Sequence, residues 1–129
     1  MKVTIYHNPK CGTSRTVLAT IRAAGIEPEV VHYLDDPLPR EELKRLFTAT
    51  GRPVRDLLRR KGTPYDELGL DDPALTDEAL IDAVARHPIL MNRPIVRTDL
   101  GAALCRPAET VATLLPGTPV SLATHEDEE

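Results

Sequence analysis

The stretch KVTIYHNPKCGTSRTVLATIRAAGIEPEVVHYL, residues 2–34, does most to limit the folds open to this chain. KVTIY is a compact β-prone run and reads as a strand. In TSRTVLATIRAAG, Val17, Leu18 and Ile21 recur at helical spacing; Thr13 or Ser14 can cap the start, and Gly25 suits the stop. PEVVHYL reads as a second strand. A strand, a helix and a strand in such close succession form a βαβ unit, so the two strands are expected to be parallel.

DDPLPREELKRLFTATG offers Leu43, Leu46 and Phe47 as one helical face. RPVRDLLRRKG predicts a second short helix, with Pro53 near its start and Gly62 past its end. TPYDELG predicts another helical start, with Thr63 as cap and Pro64 at the first helical position. LTDEALIDAVARHP predicts a helix capped by Thr76 and ended by Pro88, so residues 40–87 are expected to be mostly helical. RPIVR and AALC, joined by TDLG, read as a β-hairpin. RPAETVATLLP predicts a final helix with Pro107 near its first position. The order β-α-β, helices, β-β-α is that of a thioredoxin-like fold with a helical insertion: α/β, with four strands in one mixed sheet. The expected organisation is a single domain over residues 1–116, its insertion at about 40–87, and an acidic flexible tail over 117–129.

The 129 residues suit one domain with a real core. Net charge is −4, but the terminal HEDEE holds four of the twenty acids; without it 16 basic residues face 16 acidic ones. A neutral body with no Trp, one Phe and three Tyr lacks the basic footprint and stacking aromatics of a nucleic-acid binder. No apolar run approaches a membrane span, and the N-terminus lacks the apolar region of a signal peptide, so the expected location is cytoplasmic and away from the membrane. Two distant cysteines make no disulfide framework, and the four histidines are too scattered for a zinc site.

The remaining question is why Cys11 sits in HNPKCGTSRTVL. Placed at the loop between the first strand and its helix, it faces free backbone N–H groups and the positive end of the helix dipole. Both favour the thiolate, which is the nucleophilic form. The motif is C-x-x-S, Cys11 to Ser14. Ser14 can hydrogen-bond a thiolate but cannot resolve a disulfide, so a second thiol has to come from elsewhere. His7 can orient a group in the site or be a loop histidine with no catalytic role. The phosphatase pattern C-x5-R fails, because the sixth residue after Cys11 is Val17.

Taken together, IYHNPKCGTSR, HYL, LLRRKG, PYDELGL, HPILMNRPIV and LCRP resemble the glutaredoxin-coupled arsenate reductase family of the ArsC type, over about residues 2–116. The resemblance implies reduction of arsenate to arsenite. It implies Cys11 as nucleophile, with Arg59 of LLR, Arg93 of NRP and Arg106 of CRP as catalytic arginines, and His7 and Ser14 as supporting residues. Arg60 adjoins Arg59, and only the motif register favours Arg59. The implied cycle binds no flavin, nicotinamide or metal; glutathione is the co-substrate that attacks the Cys11 adduct, and glutaredoxin takes the glutathione as a mixed disulfide. Thioredoxin-like folds carry a cis-proline before the corresponding strand, which makes Pro94 the cis candidate. Two other readings compete: a non-enzymatic thioredoxin-fold stress regulator that binds RNA polymerase, and a general glutathione-dependent thiol oxidoreductase. Ser14 and the three arginine motifs favour the reductase over the regulator.

Overall fold

The computed structural model describes residues 2–115. The tail expected over 117–129 lies outside the described residues. The chain falls into two compact units, which among the described residues comprise 2–36 with 93–115, and 37–92.

The first unit is built on the βαβ pattern. Strand β1 (Thr4–Tyr6) leads through the Cys11 loop into helix α1 (Gly12–Ala23), and the chain returns as β2 (Glu29–Val31), parallel to β1. Gly25, at φ +85, turns the chain out of the helix in a left-handed conformation that glycine adopts without steric cost. Strands β3 (Ile95–Thr98) and β4 (Gly101–Leu104) form the expected antiparallel hairpin, and β3 also pairs antiparallel with β1. The result is one mixed sheet in the order β2-β1-β3-β4, the thioredoxin-like arrangement.

Side chains alternate across a strand, so Val3 and Ile5 share a face, and the register sets Ile5 opposite Val96. These three join Val17 and Ile21 of α1 and Val111, Leu114 and Leu115 of the C-terminal segment in one core. Val17 and Ile21 are fully buried, and burial of each contributes about 1.5–3 kcal/mol. The segment after β4 is a 3-10 helix over Ala108–Leu114, not the α-helix that RPAETVATLLP suggests. Its apolar spacing still buries Ala108, Val111 and Leu114, three residues apart, which is the period of a 3-10 helix.

The second unit holds α2 (Arg40–Thr50) and α3 (Asp77–Arg86), which pack on each other. Leu43, Leu46 and Phe47 are the buried face of α2, as their spacing predicts. Thr76 caps α3 with its hydroxyl, accepting from Ala79 N at 3.2 Å. Arg40 of α2 ties to Glu78 and Asp82 of α3.

Between these helices the sequence misleads. RPVRDLLRRKG yields only a 3-10 turn over Val54–Leu57. Leu58 is extended and bridges Met91, while Asn92 N donates to Leu57 O and Arg59 N to Leu90 O, so a nonlocal pairing takes over the backbone groups that a longer helix would use. Arg59 and Arg60 therefore lie beyond any helix. TPYDELG forms hydrogen-bonded turns rather than a helix, with Thr63 accepting from Tyr65 N. No helix among the described residues is long and apolar enough to cross a membrane.

Candidate active site

Cys11 sits where the sequence pattern puts it, at the first step of α1. Asn8 and Pro9 turn the chain after β1: Cys11 N donates to Asn8 O at 3.0 Å, and Lys10 N to Asn8 Oδ1 at 2.9 Å. Asn and Pro favour such turns, Asn because its side chain bonds the backbone two residues on. The turn makes Cys11 itself the N-cap of α1, its carbonyl accepting the first helical bond from Arg15 N. The expected caps Thr13 and Ser14 lie inside the helix instead. Sequence reasoning gave Asn8 no role; the Asn-Pro pair before the loop is the signal that points to it.

Burial of Cys11 opposes ionisation, but it is outweighed. The Ser14 backbone amide, the guanidinium of Arg93 as hydrogen-bond partner and as charge, and the guanidinium of Arg106 together hold the thiol below the ordinary cysteine value. Cys11 makes no capping hydrogen bond within ordinary limits, so the Ser14 amide acts on the sulfur as a nearby dipole. Arg106 Nη1 donates to Cys11 Sγ at 3.5 Å and to Arg93 O at 3.2 Å, which locks the two arginine segments together beside the sulfur. Both are followed by proline in a cis peptide bond: Arg93–Pro94, as expected, and Arg106–Pro107, which the sequence did not suggest.

Ser14 serves differently from the expectation that its hydroxyl would bond the thiolate. It is fully buried, and its Oγ lies 2.6 Å from His7 Nδ1 and accepts from Asn8 N at 3.2 Å. The hydroxyl thus fastens the loop to the end of β1. His7 is also buried, and its ring meets His32 edge-on at 5.8 Å between centroids. Burial first, then electrostatic coupling to the neighbouring His32 ring and to the guanidinium groups of Arg22 and Arg15, lowers its pKa from 6.5 to about 4. His7 is therefore neutral at neutral pH. Because the unfolded chain takes up this proton near 6.5 and the folded one only near 4, His7 lowers stability as pH falls between these values. Thermal unfolding of wild type and His7→Gln between about pH 7 and pH 5 checks this: the variant is expected to lose less stability across that range.

Cys105 follows β4 and is fully buried; its Sγ meets Ala103 O at 3.7 Å, and burial pushes its pKa up to about 12. It is a packed hydrophobe with an inert thiol. On the cycle that the sequence resemblance implies, Cys105→Ala is expected to retain most of its activity in a glutathione-dependent assay. An arsenate-dependent Cys11–Cys105 disulfide, seen by mass spectrometry, would overturn that expectation.

Of the residues singled out in the sequence, the structure thus gathers Cys11, Ser14, His7, Arg93 and Arg106. Arg59 belongs to the second unit, where its N–H donates to Leu90 O at 2.7 Å and its Nε to Lys61 O at 3.2 Å. Its neighbour Arg60 is spoken for by an ion pair with Asp66 at 2.6 Å and a longer one with Asp71 at 3.5 Å. Among the described residues no group of three or more His, Cys, Asp or Glu side chains could hold a metal ion.

A cysteine held below its ordinary pKa at a helix N-terminus of a thioredoxin-like sheet, with two arginines acting on its sulfur, is an arrangement suited to thiol chemistry on an anion. Comparison narrows that chemistry. The model of the ArsC family matches residues 6–114, and the chain belongs to that family. It is 56% identical over 129 residues to the arsenate reductase of Rhizobium meliloti (strain 1021), covering 100% of this chain and 92% of that one. It is 51% identical over 127 residues to the arsenate reductase of Escherichia coli (strain K12), covering 98% and 90%. Among solved structures it resembles the arsenate reductase from Vibrio cholerae, with a TM-score of 0.84 and 46% identity over 88% of this chain and 98% of the other.

Proposed function

We propose that this protein is an arsenate reductase in which Cys11 is the nucleophile, glutathione the resolving thiol and glutaredoxin the acceptor of glutathione. The observation that carries the reading is the Cys11 sulfur at the start of α1 with Arg106 Nη1 at 3.5 Å and Arg93 acting on the same atom. A thiolate and an oxyanion repel each other; fixed guanidinium groups offset that repulsion and can grip arsenate oxygens two at a time. Arg59 is assigned to the same chemistry on its LLR motif, and the engagement of Arg60 by Asp66 and Asp71 supports choosing Arg59 of the pair. His7, Ser14 and Asn8 hold the loop that presents the sulfur.

The steps balance through thiols alone. The Cys11 thiolate bonds to arsenic and a protonated arsenate oxygen leaves as water. Glutathione thiolate then bonds to the same arsenic, and a second water leaves. Glutaredoxin thiolate attacks the glutathione sulfur; the sulfur–arsenic bond breaks with its electron pair on arsenic, which passes from As(V) to As(III), while the two sulfurs become a mixed disulfide. Water finally displaces arsenite from Cys11. No flavin, nicotinamide or metal takes part in this cycle. We assign the protein to the cytoplasm, whose glutathione poise is reducing.

A coupled assay with glutathione, glutaredoxin, glutathione reductase and NADPH tests the reading. NADPH oxidation that depends on both arsenate and glutaredoxin is expected. Thiol exchange on protein disulfides that proceeds equally without arsenate would replace the proposal with a general thiol oxidoreductase.

A further inference from the structure

The second unit holds a hydrogen-bond network that closes on the backbone of Arg59. Both backbone groups of Arg59 are fixed. Its N–H donates to Leu90 O at 2.7 Å, and its carbonyl accepts from the Thr63 hydroxyl, also at 2.7 Å. The same hydroxyl lies 3.0 Å from Arg60 O and accepts from Tyr65 N at 3.2 Å. Thr63 therefore closes the tight turn that begins at Arg59.

Tyr65 anchors Thr63 in turn. It is buried, and its hydroxyl accepts from Arg55 Nη1 at 3.0 Å. Arg55 also donates to Leu70 O at 2.5 Å and to Asp72 O at 2.9 Å, so one guanidinium ties together three points of the 65–72 segment. The Arg60 guanidinium covers the Tyr65 ring, 5.3 Å from its centroid, while it pairs with Asp66 and Asp71. A fork with fixed geometry suits Arg55 to such a task, because its five donors are preorganised.

This is a large investment of hydrogen bonds in an otherwise irregular stretch. Its product is an Arg59 backbone with a defined orientation and an Arg60 side chain turned to other work. We propose that Thr63, Tyr65 and Arg55 are positioning residues for Arg59: they fix its backbone, and through it the side chain that the LLR motif assigns to arsenate chemistry. The inference rests on the assignment of Arg59 to arsenate chemistry. Catalytic geometry is sensitive to such support, since a displacement of about 1 Å can cost on the order of a hundredfold in rate.

The test is a double-mutant cycle in the coupled assay with arsenate, using Thr63→Val, Tyr65→Phe, Arg59→Ala and their combinations with Arg59→Ala. Thr63→Val keeps the volume and removes the hydroxyl. It is expected to lower kcat/KM about three- to tenfold, the reach of one neutral hydrogen bond, through whichever of kcat and KM Arg59→Ala itself changes. Tyr65→Phe should act in the same direction and more weakly, and Thr63→Ser should restore most of the loss. In the Arg59→Ala background both Thr63→Val and Tyr65→Phe should be silent, because the side chain they position is gone. A merely structural role would instead multiply the loss equally in both backgrounds, and that result, or wild-type kinetics for Thr63→Val, would overturn the positioning role. If Arg59→Ala alone keeps wild-type kcat/KM, the premise about Arg59 falls and the proposal falls with it, which is a distinct outcome read from a different variant.

Discussion

Cys11→Ser is expected to abolish arsenate reduction. A serine hydroxyl at this position is protonated at neutral pH and forms no stable thiol-type ester with arsenic, and loss of a nucleophile costs several orders of magnitude in turnover. The variant should still fold. Cys11 is the N-cap of α1, and serine is a preferred N-cap residue that offers an oxygen to the first turn. The surrounding hydrogen bonds, from Cys11 N to Asn8 O and from Arg15 N to Cys11 O, are backbone bonds that survive the exchange. An inactive but folded protein that still binds the oxyanion is therefore the expected result. The coupled assay checks it: residual turnover above about a hundredth of wild type would count against Cys11 as the nucleophile.

Loss of either arginine beside the sulfur is expected to be the next largest effect. Arg106→Ala removes the guanidinium 3.5 Å from Cys11 Sγ and its bond to Arg93 O; Arg93→Ala removes a charge and a hydrogen-bond donor acting on the same sulfur. A hydrogen bond to a charged group contributes about 1.5–3 kcal/mol, so each substitution should lower kcat/KM for arsenate by about tenfold to a hundredfold. Part of the loss follows from the thiol itself. Burial pushes the Cys11 pKa up and these arginines pull it down, so without one of them the thiolate forms at higher pH and the pH–rate profile shifts in the alkaline direction. Arg→Lys should also impair function, since lysine keeps the charge but loses the two-pronged fork. Arg59→Ala belongs to the same series, and Arg60→Ala is its control: Arg60 is an exposed residue held by Asp66 and Asp71, and its loss should leave kcat/KM close to wild type. Kinetics of the four alanine variants decide the matter. Wild-type kcat/KM for Arg93, Arg106 and Arg59 variants, with a loss for Arg60→Ala, would show that the register of the arginines is wrong.

Much of the first unit can be read from local pattern. Val17 and Ile21 sit at helical spacing and are buried; Gly25 ends the helix; TDLG marks a hairpin. These features depend on neighbours in sequence, which is what periodicity and turn chemistry report. The position of Cys11 was legible for the same reason, since a loop between β1 and α1 has to end at a helix N-terminus. The failures share the opposite cause. The helix expected over RPVRDLLRRKG stops at Leu57 because Leu58 pairs with Met91, a partner more than thirty positions away that no local window sees. Likewise, the Ser14 hydroxyl looked suited to capping or to the thiolate, but β1 brings His7 and Asn8 to it first. The adjacent Arg59 and Arg60 are alike as letters. What separates them is the Asp66 and Asp71 carboxylates, which only the folded turn brings to Arg60.

The central claim is that arsenic becomes covalently bound to Cys11 and that the second thiol comes from outside the protein. Intact-mass and peptide-mass measurement of the wild-type protein after incubation with arsenate and glutathione, with glutaredoxin withheld, tests it most directly. The expected result is an arsenate- and glutathione-dependent mass increase confined to the peptide that contains Cys11, absent from Cys11→Ser and unchanged in Cys105→Ala. A Cys11–Cys105 disulfide formed on arsenate addition, or full turnover with Cys11 unmodified at every time point, would contradict the account.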